Sequence, residues 1–148
     1  MKIAVINGPN LNMLGRREPK VYGKMSLAEI EQRLRHMGRE LGVEIDFFQS
    51  NHEGEIVDAI QRAGDDTVGI LLNAAAYTHT SVAVRDAVLS IEVPVVEVHL
   101  SNPADRESFR HVSLLAGAAI GSISGFGPAS YEMGLWFLVR KANPTLEA

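Results

Sequence analysis

The feature that most constrains this chain is a repeated alternation of short apolar runs with apolar stripes at helical spacing. Residues 3–6 form an apolar run closed by the breaker sequence Asn7-Gly8-Pro9-Asn10, the pattern of a buried strand ending in a turn. After a polar loop, Ser26-Leu27-Ala28-Glu29 has the form of a capping box, in which side chain and backbone satisfy each other at a helix start. Leu27, Ile30, Leu34, Met37 and Leu41 then recur at helical spacing, and Gly42 stands where a helix would stop. Residues 43–48 alternate like a strand exposed on one side, and Ile56, Val57, Ile60 and Ala63 form the next stripe, closed by Gly64. The order then repeats: a strand over 68–72, a helix over 81–91, a strand over 93–100 with Pro94 near its start, and a short helix over 104–110. A fifth strand over 119–124 precedes a closing helix, Ala129–Ala142, with Leu135 and Leu138 facing inward.

Parallel strands need crossover connections, so five β-then-α units imply an α/β fold with helices on both faces of a parallel sheet. The expected architecture is a flavodoxin-like three-layer sandwich with a five-stranded sheet of order 2-1-3-4-5. A chain of 148 residues fits one domain, 1–148, and no linker or repeat divides it. The formal net charge of -4 argues against a broad basic surface for nucleic acid. The absence of Cys removes disulfides, Cys-ligated zinc and thiol chemistry. No apolar run approaches the ~20 residues of a membrane span, and the first strand begins almost at Met1, so a cytoplasmic chain without a leader is expected.

This topology already places a site. Ligands of open α/β sheets bind beyond the carboxyl ends of the strands, at the switch in strand order. The loops there are 7–24, 73–81 and 100–110, dense in polar and charged groups. At the other end Gly42, Gly64-Asp65-Asp66 and Ile91-Glu92 read as turn chemistry.

In Glu97-Val98-His99 two polar residues lie two apart in an apolar strand, so both side chains point to one face. A carboxylate beside an imidazole can fix its tautomer and suit it to general acid work, while a self-satisfied buried pair is the structural alternative. Arg16, Arg17 and Tyr22 lie in a loop too long for a simple connection, with Gly15 and Gly23 as hinges, and this suits a lid as well as a solvated basic loop. Ionising an ordinary tyrosine at pH 7 costs about 4 kcal/mol. One arginine at about 4 Å, with an effective dielectric of ~20, offers an attraction of that size. A tyrosinate base in a closable lid is therefore feasible. The segment 73–81 opens a helix with small residues that allow close approach of an anion, although His79 or Ser81 alone reads equally as a cap or turn residue. Ser101-Asn102 offers a hydroxyl and amides for a carboxylate, and Arg110 is either a clamp or a surface charge. No phosphate loop is present, and 125–130 is one residue short of a dinucleotide fingerprint. His79, Asp86, Glu97 and His99 come from separate elements without metal-ligand spacing.

Taken in order, Asn7-Gly8-Pro9-Asn10-Leu11-Asn12, Leu14-Gly15-Arg16-Arg17-Glu18-Pro19 and Tyr22-Gly23 resemble the opening of type II 3-dehydroquinate dehydratases. The resemblance continues through Gln49-Ser50-Asn51-His52-Glu53-Gly54, Tyr77-Thr78-His79-Thr80-Ser81, Glu97-Val98-His99-Leu100-Ser101-Asn102, Phe109-Arg110-His111 and Gly125-Phe126-Gly127. It implies a lyase that converts 3-dehydroquinate to 3-dehydroshikimate by anti elimination through an enolate, in the shikimate pathway or in quinate breakdown, with neither metal nor cofactor. It assigns Tyr22 as the base, Arg17 as the cation holding it as tyrosinate, and Asn10 as the holder of a water at the enolate oxygen. His99, oriented by Glu97, would protonate the departing hydroxyl. Asn73 and the backbone at Leu100 and Ser101 would bind the carboxylate, and His79, Asp86 and Arg110 the ring hydroxyls. It further implies a dodecamer of four trimers, with Asp86 reaching a site across a trimer contact. Where the family has Pro or Ala and then Gly after the asparagine, this chain has Ala74-Ala75-Ala76, awkward for alanine if a positive φ is needed there. A flavin or nucleotide module on the same fold is the reading from another class, and an FMN protein would be yellow. A phosphorelay receiver is rejected because Asn7 and Asn10 stand where acids would be needed.

Overall fold

The computed structural model describes residues 1–16 and 18–147. The strands are β1 (Lys2–Asn7), β2 (Glu44–Gln49), β3 (Ile70–Asn73), β4 (Val95–His99) and β5 (Gly121–Ser124). The helices are α1 (Pro19–Tyr22), α2 (Leu27–Leu41), α3 (Glu53–Asp66), α4 (Val82–Leu89) and α5 (Ala129–Ala142). All strand pairs are parallel, in the order β2-β1-β3-β4-β5, so the expected topology is the observed one.

The sheet separates two cores, because successive strand side chains point to opposite faces. Ile3 and Val5 of β1 join Leu71, Val96 and Val98 beneath α2 and α5, whose Leu34, Leu135 and Leu138 are fully buried. Ala4 and Ile6 join Ile70, Leu72 and Val95 beneath α3 and α4, where Ile56, Ile60 and Val84 are buried. Each such aliphatic side chain contributes about 1.5–3 kcal/mol on burial. Helix α2 begins with the expected capping box, Glu29 N donating to Ser26 Oγ and Ser26 N to Glu29 Oε2, and ends at Gly42 with φ 67.

Two expectations are corrected. Gly64 does not stop α3, which runs on to Asp66. A Cβ at Gly64 would come within 2.5 Å of Ile91 Cγ2, so this glycine lets a helix pass close to the loop before β4. The helix expected over 104–110 is instead two 3-10 turns, Pro103–Asp105 and Ser108–Arg110. Asn102 caps the first, and Arg106 between the turns is extended, which breaks the hydrogen-bond series.

Register sets the floor of the site. Asn7 lies level with Gln49 on one side and Asn73 on the other, so three amides end three adjacent strands. Gly8 follows at once, its N donating to the Asn73 carbonyl at 2.7 Å. A Cβ at Gly8 would stand 2.5 Å from the Ala74 carbonyl oxygen, so the two turns pack backbone against backbone. Among the described residues no helix is long and apolar enough to cross a membrane.

Candidate active site

A cleft opens at the carboxyl ends of β1, β3 and β4, where strand order predicts it. Its walls include Asn10, Tyr22, Asn73, His79, His99 and Arg110, each named from the sequence, together with Leu100 and Ser101.

One wall is built on β4. Strand alternation carries Glu97 and His99 to one face, with His99 Nε2 2.7 Å from Glu97 Oε1. Glu97 is 1% exposed and accepts two further bonds, from Ser113 Oγ at 2.8 Å and Ser122 Oγ at 3.2 Å. Ser122 is the β5 residue paired with Glu97 in the sheet. Ser113 Oγ also accepts from Leu115 N and Ala116 N, which directs its own proton toward the carboxylate. Burial pushes the Glu97 carboxyl up, and the bond and charge of His99 with the two serine hydroxyls more than offset it. The result is a carboxyl below its ordinary range. An ionised Glu97 accepts from Nε2, which leaves Nδ1 of His99 as the ring nitrogen not engaged by Glu97.

The opposite wall is the loop after β1. Tyr22 closes the four-residue α1, entered through Glu18 at φ 39 and left through Gly23 at φ 80. Arg106 Nη1 donates to the Tyr22 hydroxyl at 2.7 Å, and its guanidinium carbon lies 5.0 Å from the ring centroid. Arg106 was not singled out in the sequence, although it sits four residues before Arg110 in a loop already marked as part of the site. Arg17, the cation assigned to Tyr22 by resemblance, lies outside the described residues.

The floor is a buried polar chain. Asn73 Nδ2 donates to the Tyr131 hydroxyl at 2.8 Å, and that hydroxyl donates to Asn7 Oδ1 at 2.6 Å. Asn73 Oδ1 accepts from Ala75 N at 3.1 Å. Tyr131 is fully buried, and burial pushes its hydroxyl far above the ordinary range, with the Asn73 bond opposing. Ala75 has φ 50, so the alanine run does place an alanine in the left-handed region.

The remaining candidates divide. His79 Nδ1 pairs with the Val112 carbonyl at 2.8 Å, leaving Nε2 free of that bond. Arg110 Nε donates to Glu107 Oε2 at 2.8 Å. Asn10 has φ 67, and its N donates to Asn51 Oδ1 at 2.9 Å. The Leu100 carbonyl accepts from Gly127 N at 2.9 Å. Asp86 is exposed on α4 and does not line this cleft. Among the described residues no three His, Cys, Asp or Glu side chains gather as metal ligands.

The sequence model of the family described as Dehydroquinase class II matches residues 1–139. The chain belongs to this family. It is 53% identical over 135 residues to the 3-dehydroquinate dehydratase of Campylobacter hominis, covering 91% of this chain and 87% of the relative. Among solved structures, the type II dehydroquinase from Butyrivibrio crossotus superposes with a TM-score of 0.91 at 44% identity, covering 93% of this chain and 97% of that one. The type II dehydroquinase from Propionibacterium acnes gives 0.90 at 40% identity, with 93% and 95% covered. Family membership does not favour the flavin or nucleotide module. Ser113 and Ser122 bond Glu97 from behind and Tyr131 bonds Asn73, and none of the three stands out in a single sequence, whereas Asn7, the far partner of Tyr131, lies in the breaker sequence after the first strand. Their parts depend on sheet register and on helix-to-strand packing.

Proposed function

We propose that this chain is a 3-dehydroquinate dehydratase, releasing water by anti elimination through an enolate, and that residues 1–148 form one catalytic domain. One observation carries the reading: a guanidinium-bonded phenol and a carboxylate-bonded imidazole line the same small cleft. Tyr22, as phenolate, takes the proton on the carbon next to the ketone, and the electron pair moves into the carbonyl to form the enolate. The enolate then collapses, the ring double bond forms, and the hydroxyl leaves with a proton from His99. Arg106 supplies positive charge at the phenolic oxygen, and Arg17 is proposed to add to it. Glu97 orients the His99 ring and balances its positive charge.

Asn10 is assigned the water at the enolate oxygen. Asn73, with the backbone at Leu100 and Ser101, takes the carboxylate, while His79 and Arg110 take ring hydroxyls; all line the cleft. Asp86, exposed on α4, is assigned to a neighbouring copy's site in a dodecamer of trimers, located in the cytoplasm. Exposed Met133, Trp136 and Phe137 on α5 supply apolar surface for such an assembly. No cofactor enters any step.

The test is incubation with 3-dehydroquinate, with chelator present, following the conjugated product by ultraviolet absorbance. Tyr22→Phe is expected to lower kcat by about 10²–10⁴-fold. A folded Tyr22→Phe variant that turns over at the parent rate removes Tyr22 from its role. Sedimentation at working concentration checks the assembly.

A further inference from the structure

Tyr131 is the largest side chain among the fully buried described residues, yet it carries a hydroxyl up to the floor of the cleft. Its neighbours allow the hydrogen bonds to run in one direction. The backbone N–H of Ala75 can only donate, and it donates to Asn73 Oδ1, so the Asn73 amide must turn Nδ2 toward Tyr131. Nδ2 donates to the phenolic oxygen, and the single hydroxyl proton goes on to Asn7 Oδ1. An amide nitrogen carries two N–H groups. One of them is engaged by Tyr131, and Asn73 lines the cleft.

The far end of the chain shows what this direction costs. Among the described residues Asn7 Nδ2 is buried without a hydrogen-bond partner. Flipping the Asn7 amide would aim a donor at a hydroxyl that already accepts from Asn73, and would turn the phenolic proton back onto Asn73. The unpartnered nitrogen is the consequence of keeping the direction fixed. We propose that Tyr131 is a positioning residue that holds the Asn73 amide so that its second N–H, a donor, meets the carboxylate of the substrate. This rests on the dehydratase reading above. Without the hydroxyl only the Ala75 N–H still holds the Asn73 amide, through Oδ1, and the Nδ2 end loses the anchor that keeps its second N–H in line with the carboxylate.

Two measurements test the proposal. In steady-state kinetics with 3-dehydroquinate, Tyr131→Phe is expected to raise KM about tenfold, the scale of one hydrogen bond to a charged group, with kcat changed less than about threefold. The Tyr131→Phe/Asn73→Ala double variant should show the KM of Asn73→Ala alone, because both changes remove one interaction. An unchanged KM in folded Tyr131→Phe, or KM effects that multiply in the double variant, overturns the proposal. The second measurement uses the parent protein and does not depend on turnover. Nitrogen–proton correlation spectra of the Asn73 side chain are recorded during titration with quinate, which has the carboxylate but no ketone. One amide proton should move on binding, while the other stays at its hydrogen-bonded position. If neither proton moves as quinate binds, Tyr131 is not positioning a carboxylate donor. A parent protein that binds quinate through one Asn73 proton but leaves 3-dehydroquinate unchanged retains the positioning role and loses the dehydratase reading.

Discussion

The two walls of the cleft are built on different principles. Glu97 and His99 stand at the end of a central strand, and the carboxylate is fixed by donors from its own strand, from β5 and from the loop before β5. Moving that pair means breaking parallel strand pairing on both sides. Tyr22 stands in a helix of four residues, none of them buried, that begins and ends at positive φ. Arg106 meets it from across the cleft. The difference teaches that the proposed acid is prearranged by the fold, whereas the proposed base is held by a loop resting on a residue 84 positions away.

Substitutions can break this comparison or sharpen it. The largest effect belongs to His99→Ala, expected to lower kcat by about 10²–10⁴-fold if the ring is the proposed acid, and to lower the thermal midpoint as well because the buried Glu97 loses its partner. Arg106→Ala should cost less, about 10- to 100-fold in kcat/KM, the scale of a hydrogen bond to a charged group. Arg106→Lys should restore little of it, because an ammonium cannot both bond the phenol and stack on its ring. Equal losses in Arg106→Ala and His99→Ala would erase the distinction between prearranged and assembled walls.

A finer test uses pH. The Glu97 carboxyl is depressed in the folded state, so its stabilisation is fully present above the ordinary carboxylate range and is lost as pH falls through the lower folded value. Ser113→Ala removes one donor, which brings the folded value back up, so the variant has less of this stabilisation to lose and its loss is complete at a higher pH. Urea unfolding from pH 7 down past the ordinary carboxylate range reads this directly; superimposable curves for parent and variant would remove Ser113 from the support of Glu97. The smallest effect is Ala75→Gly. It relieves a left-handed alanine but adds freedom to the unfolded chain, for a net gain of about 0.5 kcal/mol in unfolding free energy.

What could be read from the sequence follows the same division. Strand order, the capping box at Ser26 and the shared face of Glu97 and His99 rest on periodicity within one element, and single-chain patterns carry that information. Gly64 was misread because a glycine that admits Ile91 and a glycine that stops a helix look alike in one dimension. Arg106 and Tyr131 escaped because their partners are distant in the chain: Tyr22 for one, Asn7 and Asn73 for the other. Residues 104–110 look like a helix by composition, but the Asn102 cap and the extended Arg106 divide them into two turns, and that division aims Arg106 at the phenol.

The backbone contact between Gly8 and Ala74 sets a tolerance of its own. With the carbonyl oxygen of Ala74 2.5 Å from where a methyl would grow, even the smallest replacement acts as a wedge between the turns that carry Asn10 and Asn73. In a saturation library, codon 8 should accept a single amino acid. A change there would spoil the alignment of groups at opposite sides of the cleft without touching any of them.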